Sequence, residues 1–232
     1  GLLMPLPGYL ARAAAVCRRH DIVVIADEVV TAFGRLGHWF ASEAVFGFTP
    51  DIIAFAKGLT SGYVPMGGLA ISDRLLARVS GDNGKGSWFS NGYTYSGHPV
   101  AAAAGIANID LFERDNLLMH VRAVAPYFQS RLAELRELPL VGDVRGDGLM
   151  AGVECVSDRS AVEASDFDLS IAKRVDRYCF ELGLIVRPIA NICVMSPPLI
   201  ITLKEIDRLV DILREGIERT QMELRHEGLW HG

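Results

Sequence analysis

Short uncharged runs alternate along this chain with longer segments of helical spacing. The first run, Ile22-Val23-Val24-Ile25-Ala26, is closed by Asp27-Glu28. A second, Ile52-Ile53-Ala54-Phe55-Ala56, ends at Lys57-Gly58. Runs of this length suit strands buried on both faces of a parallel sheet. Ahead of the first, Leu10, Ala13, Ala14 and Cys17 fall on one face of a helix predicted over Tyr9 to His20. Between the strands lie a two-glycine loop, Phe33-Gly34-Arg35-Leu36-Gly37, and a short helix near Trp39 to Phe46. Gly67 to Ser72 predicts another strand, with Asp73 starting a helix. Such alternation predicts an α/β layer.

Residues Ser80 to His98 are rich in Gly, Ser and Asn and carry Trp88, Phe89, Tyr93 and Tyr95, the pattern of a long functional loop. Pro99 suits the first turn of a helix that runs to about Leu138, with a break at Asp115-Asn116 and a kink at Pro126. The pattern restarts at Val141. A strand over Leu149 to Val156 precedes a helix over about Leu169 to Leu182, stopped by Gly183. Short strands follow at Leu184 to Val186 and Ile192 to Ser196. Thr202 and Glu205 then form a capping box for a last helix, which buries Leu203, Ile206, Leu209, Val210 and Leu213. The expected organisation is residues 1–115 as part of a large α/β domain, and 116–232 as a linker helix and a smaller α+β domain.

Composition narrows the function classes. Half of the 232 residues are hydrophobic and 22% are charged, enough apolar surface for a substantial core. The net charge of −5 is mixed along the chain, so neither nucleic acid nor an anionic membrane is an expected partner. No apolar run is long enough to cross a bilayer, and no signal-peptide pattern is present. The opening Gly1-Leu2-Leu3-Met4-Pro5 reads as the interior of a longer protein. Cys17, Cys155, Cys179 and Cys193 lack C-x-x-C spacing and sit among apolar neighbours, which predicts buried free thiols, a reducing cytoplasm and no metal site.

The candidate chemistry lies where the two apolar runs stop. In open α/β sheets the ligand crevice is at the carboxyl ends of the strands. One strand delivers an amine there, Lys57, and the other a carboxylate, Asp27. A lysine after a strand is ordinarily a solvated loop residue, and Asp27 can equally cap a helix. An amine beside an acid that can hold a pyridinium nitrogen is, however, the pairing that pyridoxal phosphate chemistry requires.

Four segments carry a family resemblance: Ala26-Asp27-Glu28-Val29, Phe33-Gly34-Arg35-Leu36-Gly37, Pro50-Asp51-Ile52-Ile53-Ala54-Phe55-Ala56-Lys57-Gly58 and Tyr93-Thr94-Tyr95-Ser96-Gly97-His98-Pro99. In this order and spacing the chain resembles the class III (subgroup II) aminotransferases, pyridoxal-phosphate enzymes of fold type I, from Pro7-Gly8-Tyr9 to its last helix. The resemblance implies that Lys57 forms the Schiff base with pyridoxal 5'-phosphate and that Asp27 pairs with its ring nitrogen. It implies that Val29 packs on the ring and that Thr94 binds the phosphate across a subunit interface, making a homodimer or tetramer. Arg187 matches the arginine that clamps the carboxylate of an amino or keto acid, in ω-amino acid and amine–pyruvate types. Val30, in place of glutamine, and the lack of an arginine in Ile192 to Met195 favour that subgroup. Glu28, Arg35 and His98 are expected to be structural. The implied reaction moves an amino group between an amine or ω-amino acid and a keto acid such as pyruvate. An aminomutase or decarboxylase on the same scaffold, or a fragment that only associates with a partner, are the alternatives. The family's N-terminal Gly-Ser phosphate loop and ring-stacking aromatic are not in this sequence, so the chain by itself is expected to bind the cofactor weakly or not at all.

Overall fold

The computed structural model describes residues 2–80, 92–160 and 164–231. They form two compact units, Pro5–Leu118 and Gly1–Met4 with Met119–Gly232. Trp88 and Phe89 of the expected loop lie outside the described residues.

In the first unit, helix α1 (Tyr9–Arg19) leads to strand β1 (Ile25–Asp27). A loop and the single-turn helix α2 (Ala41–Ala44) precede strand β2 (Ile52–Phe55). A 3-10 turn over Lys57–Leu59 follows, then strand β3 (Gly68–Ile71) and helix α3 (Asp73–Ser80). Helix α4 (Pro99–Arg114) comes next, with proline in its first turn as its sequence predicts. β1 and β2 pair in parallel, with Asp27 opposite Ala54, whereas β3 joins β2 antiparallel.

Two expectations change here. The first strand is shorter than its apolar run, because Ile22 to Val24 stay outside the ladder. Burial is also one-sided. Ile25, Ile52 and Ile71 stand in register and so share a face, yet Ile25 is 61% exposed. The opposite side packs: Phe33, Trp39, Phe40, Phe55 and Phe112 form an aromatic cluster of edge-to-face and tilted pairs with ring centroids 5.4–6.2 Å apart. Gly68 lets β3 close over it, since a Cβ there would stand 2.6 Å from the Phe55 ring.

Polar groups at the starting ends of the strands hold the layer together. Asp51 accepts from the Val24 amide at 3.0 Å and pairs with Arg74, which also reaches Asp21. Arg78 adds a second contact to Asp21.

The second unit is an antiparallel sheet backed by helices. Its strands are β4 (Val141–Asp147), β5 (Met150–Cys155), β6 (Arg187–Ile189) and β7 (Ile192–Met195), in the order β4-β5-β7-β6. The β4–β5 hairpin turns so tightly that a Cβ on Gly146 would lie 2.3 Å from the Met150 carbonyl oxygen. Helix α5 (Leu117–Ala133) keeps Pro126 within it and contributes Val121, Phe128 and Leu132 to the core. Helices α6 (Asp166–Glu181) and α7 (Leu203–His226) pack against each other and against the sheet side chains Val153, Cys155 and Cys193.

Both α6 and α7 start at a capping box. Thr202 with Glu205 is the one the sequence predicts. Ser165 with Asp168 starts α6 three residues earlier than expected. Leu203, expected in the buried face of α7, is 50% exposed because it sits at the helix's first position, ahead of the packed turns. The strand expected at Leu184 to Val186 instead begins at Arg187, where pairing with β7 starts.

Candidate active site

Parallel pairing fixes the site. β1 and β2 run the same way, so both carboxyl ends open on one edge of the sheet. Asp27 closes β1, and Lys57 stands three residues beyond Ala54, the partner of Asp27. Both side chains are exposed. The Asp27 carboxylate accepts one hydrogen bond, from the Val29 amide at 3.1 Å. Among the described residues Lys57 has neither an ion pair nor a side-chain hydrogen bond. The contrast with the other strand ends is informative: there Asp21, Asp51, Arg74 and Arg78 are spent on one another, and all four are structural. At the carboxyl ends an acid and an amine remain available to a ligand.

The Lys57 backbone is unusual. Its φ of 36° lies in the left-handed region, where an L-residue's Cβ crowds the following carbonyl. Such strain persists where the surroundings over-determine it, typically at functional positions. Gly58 follows, and it must be glycine: an added Cβ would sit 2.7 Å from the Phe33 Cβ. The loop after β1 thus lies directly against the turn that carries Lys57.

Glu28 holds that loop. Its carboxylate is buried and accepts from the amides of Ala41 at 2.6 Å and Ser42 at 2.8 Å, and from the Thr31 hydroxyl at 3.2 Å. These donors are the unsatisfied first amides of α2, so Glu28 caps that helix from a distance. The structural role expected for it is borne out. Arg35, in the same loop, is largely withdrawn from water, and burial lowers its pKa to about 10.

The remaining candidates stand elsewhere. Val29 is half-buried and supports Asp27 through its amide. Thr94 is exposed in a turn closed by Ser96, whose hydroxyl accepts from the Tyr93 amide at 2.9 Å. That turn precedes α4, whose rise from Pro99 to Asn108, beside the Lys57 turn, is about 14 Å. Arg187 belongs to the second unit, exposed at the start of edge strand β6. Within the first unit, then, the structure brings Asp27, Val29 and Lys57 to one sheet edge.

Asn108 is the residue that sequence reading missed. From α4 its amide nitrogen donates to the carbonyls of Gly58 at 2.8 Å and Leu59 at 3.1 Å. The available signal was an asparagine, a poor helix former, within an alanine-rich helix.

The donor set suits an aldehyde cofactor with a basic ring nitrogen: a primary amine for the aldehyde, and a carboxylate, steadied by an amide, for the ring.

Known proteins share this arrangement of segments. Residues 1–217 match the family model for class III aminotransferases. Putrescine–pyruvate aminotransferase of Pseudomonas aeruginosa is 38% identical over 221 residues, which are 95% of this chain and 47% of that protein. The omega-aminotransferase of Caulobacter vibrioides is 41% identical, over 92% of this chain and 47% of its own. Among solved structures, the PMP-bound form of an aminotransferase from Vibrio fluvialis superposes with a TM-score of 0.90 at 35% identity, covering 96% of this chain and 49% of that one. An (S)-enantioselective omega-transaminase from Thermomicrobium roseum gives 0.87 at 38% identity, over 95% and 48%. This chain therefore spans about half the length of the relatives it matches. It belongs to the class III aminotransferases, and its α/β fold is theirs over that half.

Proposed function

We propose that this class III aminotransferase chain carries the lysine and the ring-nitrogen acid of an enzyme that moves an amino group between an amine or ω-amino acid and a keto acid such as pyruvate. The observation that supports the reading is the parallel register of β1 and β2, which puts the strand ends bearing Asp27 and Lys57 on one edge of the sheet. The likeness to a putrescine–pyruvate aminotransferase supports the substrate class.

Pyridoxal phosphate, when bound, supplies a ring that draws in the electron pair left on carbon as a proton departs. Lys57 would hold the cofactor through its amine, and that same amine would be the base available to move a proton. Asp27 would face the ring nitrogen and favour its protonated form through its charge, and the Val29 amide donates to that carboxylate. Val29 would pack against the ring. Thr94 would donate its hydroxyl to the cofactor phosphate in a partner subunit's site, and its separation along α4 from the Lys57 turn is in keeping with action in trans. The assembly on this reading is a homodimer or tetramer. Arg187 grips the substrate carboxylate through two parallel hydrogen bonds. Among the described residues no helix is long and apolar enough to cross a membrane. Three buried free thiols suit a reducing compartment, and we place the enzyme in the cytoplasm.

The test uses the full product of the gene encoding this sequence, supplied with pyridoxal phosphate, an amine donor and pyruvate. Alanine should form in step with loss of the amine, and Lys57→Ala should abolish both this and the imine absorbance. An imine band that survives Lys57→Ala refutes the assignment.

A further inference from the structure

Lys57 keeps its left-handed backbone between two restraints. On one side β2 is paired with both neighbouring strands. On the other, the 3-10 turn is gripped by a single side chain from α4. Asn108 spends both amide hydrogens on consecutive carbonyls of that turn, Gly58 and Leu59, and its Oδ1 accepts from the Ser61 hydroxyl at 2.8 Å. Among the described residues it is the only side chain that donates to these two carbonyls. The turn has other fastenings: the Leu59 amide donates to the Ala56 carbonyl at 2.9 Å, the Ser61 amide to the Gly58 carbonyl at 3.4 Å and Thr60 Oγ1 to the Val64 carbonyl at 2.6 Å, but these are local to the loop, and Asn108 adds the bonds that tie it to α4. A planar amide with two donors and an acceptor fits this set of partners; a carboxylate would present oxygen to both carbonyls. Asparagine in an alanine-rich helix is unfavourable to the helix, so its presence serves the turn.

We propose that Asn108 is a positioning residue for Lys57: by clamping the Gly58 and Leu59 carbonyls it holds the lysine in the strained conformation from which its amine reaches the strand-end crevice. This rests on the reading of Lys57 as the Schiff-base lysine. Asn108 touches neither substrate nor cofactor in this role. Without the clamp the turn relaxes, φ of Lys57 leaves the left-handed region, and the amine is redirected within a protein that remains folded.

The experiment loads the full gene product with pyridoxal phosphate and compares wild type, Asn108→Ala, Asn108→Asp and Ser61→Ala. Five quantities are read: the pH midpoint of the imine absorbance, kcat, KM, the melting temperature, and the residue labelled after borohydride reduction and peptide mapping. In both Asn108 variants the imine midpoint should move by about one pH unit. Their kcat should fall by about tenfold or more, with KM within about twofold. Ser61→Ala, which only loosens the clamp, should shift both in the same direction by less, and it serves where the Asn108 variants do not fold. Phe128→Leu, in the core of the other unit, is the stability control and should lower the melting temperature while leaving the midpoint and kcat unchanged. Variants that lose melting temperature but keep the wild-type midpoint and kcat would overturn the positioning role and leave Asn108 a structural residue. A borohydride label that maps away from residue 57 in the wild type would instead overturn the Schiff-base assignment, and this inference with it.

Discussion

Replacing Glu28 by glutamine asks whether a buried carboxylate holds the loop on which the Lys57 turn rests. Glu28 is 3% exposed, and its two oxygens divide between the amides of Ala41 and Ser42, with the Thr31 hydroxyl sharing one of them. Glutamine fits the same space but turns an NH2 group toward one of the amides. One bond is lost, and one buried N–H is left facing another donor. Hydrogen bonds to a charged group contribute about 1.5–3 kcal/mol, and the orphaned donor adds its own desolvation cost. A loss of about 3 kcal/mol is expected for Glu28→Gln, and about 4 kcal/mol for Glu28→Ala, which strips all three donors. In a unit the size of Pro5–Leu118 each kcal/mol is worth about 4 °C, so the melting temperature of Glu28→Gln should fall by about 12 °C. Circular dichroism melts of the full gene product measure this. A fall of less than about 2 °C would show that the loop is held by its aromatic packing and not by the carboxylate.

Two further outcomes follow from the second unit. Burial alone would raise the pKa of Asp168, but donors from Ser165 and Ser157 outweigh it and hold the folded value below the usual carboxylate range. Its stabilising contribution is therefore present above the unfolded pKa of about 3.9 and lost as pH falls through the folded value. Asp168→Asn should cost about 2 kcal/mol in urea unfolding at pH 7. At a pH of about 2 the gap between wild type and variant should shrink; an equal gap at both would sink the linkage. Burial also pushes the Cys179 thiol up to about 12, and a bond with Cys155, then burial, raises Cys193. In native protein Cys17, the one half-buried cysteine, should take up a thiol reagent first, with the other three reacting only in denaturant. Labelling of Cys179 or Cys193 as fast as Cys17 would contradict the core packing described.

Local features were legible where one residue's chemistry suffices to announce an element. Pro99 at the start of α4, Gly183 after α6 and the Thr202–Glu205 box of α7 each act within a turn of their own position. The end of β1 at Asp27, and the turn at Lys57 just past the end of β2 at Phe55, are readable for the same reason: each uncharged run stops at its first charge. Arg187 was placed after a strand when it begins one, because Leu184 to Val186 and Arg187 to Ile189 are both plausible strand sequences and only the partner β7 chooses between them. The one-sided burial of β1 was invisible too, since an apolar run records what its residues prefer and not what covers them.

The sequence by itself determined the family, the two acid- and amine-tipped strands and the order of elements, because these depend on residue type and spacing along the chain. Tertiary structure alone decided which charges remain free for chemistry. Asp51 and Asp27 are the same side chain at opposite ends of neighbouring strands; pairing gives Asp51 to Arg74 and leaves Asp27 exposed, with no ion pair among the described residues, at the sheet edge where the Lys57 turn follows β2. It likewise decided that an asparagine fifty-one residues downstream grips the lysine's turn. Hydrogen bonds between distant segments exist only once the fold has brought their donors and acceptors within about 3 Å, and no local pattern encodes that meeting.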